Sequence, residues 1–180
     1  DVVIIGGGLA GLAAGLRLQG QGCNCALVNA GQSALHFSSG AFDFLNFLPD
    51  GRPVERPDEA LPELAALEPE HPYSRIGAQR LLALAALAES LLAERGVPMR
   101  GSLARGNHYR ITPLGDMHPT WLSSPDIFAQ RRIGEHDWKK IALVNIEGFL
   151  DFYHEILDES FSAMGVGAES IYLGMPELTQ

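Results

Sequence analysis

The chain has 180 residues, with 13 Lys and Arg against 22 Asp and Glu, for a net charge of −9. That balance, with no basic stripe carrying interleaved aromatics, argues against nucleic acid as a partner, because phosphate backbones are held by Lys and Arg. No apolar run approaches the ~20 residues that span a bilayer, no signal-peptide pattern is present, and the length suffices for a buried core in one or two domains.

The first element is an apolar run, Val2-Val3-Ile4-Ile5, which reads as a strand. Gly6, Gly8 and Gly11 follow at G-x-G-x-x-G spacing, with Gly15 one helical turn on and Leu9, Leu12 and Leu16 on one helix face. Strand, glycine turn and helix in this order form a dinucleotide-binding fingerprint. Gly6 lets the chain turn, Gly8 leaves room for phosphate against the backbone, and Gly11 and Gly15 let helix and sheet approach. Backbone groups of Gly6, Gly7, Gly8, Leu9 and Ala10 are the expected phosphate ligands, at the positive end of the helix dipole. The alternative is a strand–helix unit whose glycines serve packing alone.

The second strand is expected at Cys25-Ala26-Leu27-Val28. An acid at its end would bind an adenosine ribose, but the residue there is Asn29. The departure weakens NAD or FAD as the ligand and leaves the phosphate site intact. Cys23 and Cys25 lie two apart, a poor disulfide geometry and too few ligands for zinc or an iron–sulfur cluster. Their role reads as packing, and their use fits a reducing cytoplasm; no metal site is expected.

Residues 31–48 form a polar loop with aromatics near the carboxyl ends of the sheet, where open α/β folds bind ligands. Residues 49–72 read as a surface excursion with a short helix over 59–67. Leu81, Leu84, Leu87 and Leu91 predict a helix over 81–94, stopped by Gly96 and Pro98. Short strands are expected at Tyr109-Arg110-Ile111 and Thr120-Trp121-Leu122. A closing unit follows: strand Ile141–Val144, helix Phe149–Ala163, strand Ser170–Leu173. The fold class is α/β, a Rossmann-like flavin-binding domain of glutathione-reductase type with a mixed α+β insert. The division is 1–48 flavin-binding part, 49–138 insert or substrate-domain segment, and 139–180 return strand–helix–strand. Asp1 precedes a core strand without an initiator Met and Glu177–Gln180 supplies no closing element, so a longer flavoprotein is expected, with its sheet completed by a C-terminal part.

Gly31-Gln32-Ser33-Ala34-Leu35-His36-Phe37-Ser38-Ser39-Gly40, with Thr112-Pro113-Leu114-Gly115 and Thr120-Trp121-Leu122-Ser123-Ser124-Pro125, resembles the B subunit of anaerobic glycerol-3-phosphate dehydrogenase. The resemblance runs through essentially the whole chain. It implies a flavoprotein with FMN (alternatively FAD), working beside an FAD-containing catalytic subunit and an iron–sulfur, membrane-associated subunit. The complex would oxidise sn-glycerol 3-phosphate to dihydroxyacetone phosphate and pass electrons toward quinone, with this flavoprotein cytoplasmic and peripheral at the inner membrane. FMN lacks the adenosine ribose, so Asn29 suits it.

Ser38, Ser39 and Gly40 are candidates to close over the flavin; a Ser-Ser-Gly run would equally cap a helix over 41–47. His36 suits proton transfer beside a substrate hydroxyl, or is structural. Arg110 matches a phosphate dianion on substrate or flavin, or is a surface arginine on an edge strand. No convincing acid–base pair is present. That favours an electron-transfer or bridging role over the rival reading, an independent FAD oxidoreductase.

Overall fold

The structure, a computed structural model, describes residues 1–135 and 137–174. The expectation resting on Glu177–Gln180 lies outside them. The chain forms two compact units, dividing after Gly40. Leu45 and Leu48 therefore belong to the second unit, whose first core cluster they join.

The first unit is a βαβ motif. Strand β1 (Val2–Ile5) leads into helix α1 (Leu9–Gln19), and β2 (Cys25–Val28) returns parallel to β1, pairing Val2 with Cys25 through Ile5 with Val28. A 3-10 turn follows at Ala34–Phe37. Glycine governs the approach of α1 to β1. A Cβ on Gly11 would run into the Gly6 carbonyl oxygen, and one on Gly15 would stand 3.2 Å from Ile4 Cδ1. Gly6 turns the chain at φ +110, a region disfavoured for other residues.

The second unit opens with irregular chain over 41–56. Helices α2 (Pro57–Leu67), α3 (Pro72–Ile76) and α4 (Ala78–Glu94) follow. Pro57 at the first turn, with Asp58 and Glu59 beside it, suits the start of α2. Leu45, Leu48, Val54, Leu61, Leu64 and Leu81 form one core cluster. Residues 49–72 are thus a wall of the core and not the surface excursion expected. Proline and acidic residues dominate the composition there, while Val54, Leu61 and Leu64 turn inward and Leu67 stays exposed. No helix forms over 41–47; Phe42 instead bridges Leu122, so the helix-cap reading of Ser38-Ser39-Gly40 fails. His71 caps the start of α3, where its Nδ1 accepts from Tyr73 N–H at 3.1 Å.

Strands β3 (His108–Ile111), β4 (Met117–Thr120) and β5 (Ala129–Gln130) make an antiparallel sheet in the order β4-β3-β5. The second strand thus lies before Trp121, not over 120–122. Pro119 obscured it in the sequence, yet β4 is an edge strand of this sheet, where a missing N–H is tolerated. Trp121 and Leu122 leave the ladder to join Ala85 in a further core cluster. Strand β6 (Lys140–Ile146), helix α5 (His154–Ala163) and β7 (Gly167–Leu173) form a parallel unit around Leu143, Leu157, Phe161 and Val166. Helix α5 begins at 154, not 149; the Glu147-Gly148 turn, with Gly148 at φ +85, is followed by non-helical chain over 149–153.

Candidate functional site

The glycine turn joins the carboxyl end of β1 to the start of α1. Gly6 N–H donates to Val28 O at 2.8 Å and Gly7 N–H to Asn29 Oδ1 at 3.4 Å. Those two amides serve the packing of β1 against β2. The first hydrogen bond of α1 runs from Leu12 N–H to Gly8 O at 3.0 Å. Gly8, Leu9, Ala10 and Gly11 N–H consequently have no acceptor among the described residues, as the geometry of a helix start requires. Gly8 is the N-cap, with no side chain bonded over the helix end and no acid in the first turn. A Cβ on Gly8 would meet nothing within 4 Å. Free amides, open space and the positive dipole end fit a phosphate group.

Asn29 is built into this turn. Its Oδ1 receives Gly7 N–H, its Nδ2 donates to Gly31 O, and a Cβ on Gly7 would stand 3.0 Å from Asn29 Cγ. The amide thus links the end of β2 to the glycine loop and the following loop. A cavity of about 430 Å3 lies at the other end of α1, lined by residues such as Leu16, Gln19, Cys23 and Cys25. Gly6, Gly7 and Gly8 are not among its lining residues.

His36 sits exposed in the 3-10 turn, packed edge-on against Phe37 with ring centroids 4.9 Å apart. No acid partners its ring among the described residues. Ser38 Oγ accepts from Gly40 N–H at 3.1 Å, which closes a local turn in which Gly40 takes φ +70; Ser39 is exposed. Cys23 and Cys25 are free thiols. No group of three metal-ligating side chains occurs among the described residues, and none of their helices is long and apolar enough to cross a membrane.

Arg110 lies in the second unit on the central strand β3, not on an edge. It is directly opposite His118 of β4, while His108 is opposite Thr120. Opposed residues share a sheet face, so His108, Arg110, His118 and Thr120 line one side. Asp43 and Asn46 reach the same place: His118 Nε2 lies 3.5 Å from Asp43 Oδ2 and 3.1 Å from Asn46 Nδ2. His108 is buried with its Nε2 2.8 Å from Ser123 Oγ. Burial above all holds the His108 ring below the usual histidine range; the charges of Arg100 and Arg110 act the same way and Asp43 opposes them. Sequence reasoning missed Asp43, Asn46 and His108. The available signal was the period-two pairing of His108-x-Arg110 with His118-x-Thr120.

Known proteins share this chain's sequence closely. The FAD binding domain family matches residues 1–164. The B subunit of anaerobic glycerol-3-phosphate dehydrogenase from Yersinia enterocolitica is 51% identical over 179 residues, 99% of this chain and 42% of that protein. The protein of the same name from Pectobacterium atrosepticum is 48% identical over 99% of this chain and 42% of its own length, and that from Actinobacillus succinogenes 44% over 89% and 37%. The chain thus spans less than half the length of these curated relatives. No solved structure matches it. The glycine turn with its free amides and the match over residues 1–164 place the chain in the FAD binding domain family.

Proposed function

We propose that the chain is the flavin-binding portion of a redox subunit of an anaerobic glycerol-3-phosphate dehydrogenase. The complex converts sn-glycerol 3-phosphate to dihydroxyacetone phosphate and sends the electrons toward quinone. The observation that carries this reading is the run of unpartnered amides from Gly8 to Gly11, in a chain about half identical to proteins of that name. Gly8, Leu9, Ala10 and Gly11 would hold the flavin phosphate, with Ser38, Ser39 and Gly40 near the flavin. A bound flavin supplies the electron acceptor. Asn29, engaged with Gly7 and Gly31, offers no anionic acceptor to an adenosine ribose, so FMN is the proposed cofactor in place of FAD.

The proposed partners are an FAD-containing catalytic subunit and an iron–sulfur, membrane-associated subunit, through which this chain would sit on the cytoplasmic side of the inner membrane. His36 without an acid partner favours electron transfer, or bridging within the complex, over independent catalysis. Two measurements test the reading. Flavin released from unreconstituted full-length protein, identified by chromatography and absorbance, is expected to be FMN; stoichiometric FAD rejects that cofactor. Glycerol 3-phosphate oxidation with an artificial acceptor is expected from the reconstituted complex and not from this segment alone. Robust turnover by the segment would instead make it an independent oxidoreductase.

A further inference from the structure

Among the described residues of the second unit three arginines are partly buried, and two of them have charged or carbonyl partners. Arg56 pairs with Asp58 at 2.6 Å, and Arg100 donates to the carbonyls of Ile127 and Pro125 at 2.5 and 2.8 Å. Arg110, also partly buried, makes no ion pair or side-chain hydrogen bond among the described residues, and its Nε is buried without a partner. The fold thus leaves the Arg110 charge without a partner and its terminal nitrogens open to an anion from outside.

We propose that the β3–β4 face is a binding site for a small phosphate monoester that carries a free hydroxyl, with Arg110 as its anchor. The planar fork of Arg110 takes two phosphate oxygens, a geometry that an ammonium cannot reproduce. His118, directly across the ladder, adds a ring N–H donor. Asp43, 3.5 Å from His118 Nε2, repels a bare anion but accepts a hydrogen bond from a hydroxyl next to the phosphate, which selects a polyol phosphate. Asn46, 3.1 Å from His118 Nε2, holds the ring at the face. The site deepens the functional reading above and rests on it in naming glycerol 3-phosphate as the ligand; free inorganic phosphate is the other source of the same chemistry.

The test is calorimetric titration of full-length, flavin-loaded protein with glycerol 3-phosphate, inorganic phosphate and glycerol, for wild type, Arg110→Gln, Arg110→Lys and His118→Gln. Flavin content and melting temperature are measured on each variant. Wild type is expected to bind glycerol 3-phosphate more tightly than phosphate, and glycerol not at all. Arg110→Gln should weaken glycerol 3-phosphate binding at least about tenfold, or about 1.4 kcal/mol, at unchanged flavin content. If Arg110→Gln leaves glycerol 3-phosphate binding unchanged while shedding flavin, the face holds no substrate phosphate and the proposal is overturned. Unchanged ligand affinity together with unchanged flavin content overturns it, as does equal binding of glycerol. Should Arg110→Gln melt early, Arg110→Lys is read in its place, with the same loss expected because the fork is gone. Arg110-dependent binding in a complex that oxidises no glycerol 3-phosphate would reject the redox reading and keep the site. Oxidation with Arg110-independent binding and unchanged flavin content would do the reverse.

Discussion

Asn29 and Gly7 are joined by a hydrogen bond, Gly7 N–H to Asn29 Oδ1 at 3.4 Å, so the residue at the end of β2 also braces the glycine turn. In a dinucleotide-binding unit that strand end carries the ribose ligand. Here the side chain has a second anchor on Gly31 O, and both of its polar ends are engaged within the motif.

Asn29→Ala removes an acceptor from Gly7 N–H and a donor from Gly31 O. Both bonds are at the surface, so the expected loss is about 1 kcal/mol, with a further fall in flavin retention as the turn loosens. Asn29→Asp keeps the acceptor and should lie between alanine and wild type. Melting curves and flavin-to-protein ratios check the order; an alanine variant equal to wild type in both would show that the bond is incidental.

Two glycines of the turn should respond in opposite ways. A side chain at Gly8 meets open space within the protein, so Gly8→Val should fold with a cost of only about 1 kcal/mol at the N-cap and lose flavin. Gly11→Ala should lower the melting temperature much more, because its Cβ runs into the Gly6 carbonyl. Full flavin occupancy in Gly8→Val would reduce the turn to a packing feature.

Glu89 receives two donors, Trp121 Nε1 at 2.8 Å and Leu103 N–H at 2.6 Å. Glu89→Ala should therefore cost about 2–4 kcal/mol, while Glu89→Gln keeps the acceptor and should cost about 1 kcal/mol or less. Denaturant midpoints followed by tryptophan fluorescence separate the two variants.

His108 makes stability depend on pH. Its folded pKa lies below the ordinary 6.5, chiefly through burial, with Arg100 and Arg110 acting the same way against Asp43. Below about pH 6.5 the unfolded chain takes up a proton that the folded ring resists, so stability is full above that pH and falls as pH drops through the folded value. His108→Gln should flatten this slope. Urea midpoints at about pH 7.5 and about pH 5.5, for wild type and variant, measure it.

The βαβ motif was legible residue by residue, because its constraints are local: a strand of four apolar residues, glycines where backbone meets backbone, a leucine face. The leucine ladder of α4 was legible for the same reason, although the helix starts at Ala78 and not at Leu81. Spacing alone could not show which amides of the turn remain free. Gly6 and Gly7 were equal candidates with Gly8 until β2 lay alongside and took their N–H groups. The long-range pairings were hidden too. Val54 and Leu61 enter a core with Leu45 and Leu81 only when distant segments meet, and Pro119 sits in a strand because that strand is at an edge. Arg110 shows the division most clearly. Its residue type suggested phosphate, but only the register opposite His118, and the burial of its Nε without a hydrogen bond, singled it out for the proposed site. Local chemistry is written along the chain, whereas burial and partnership depend on residues far apart in it.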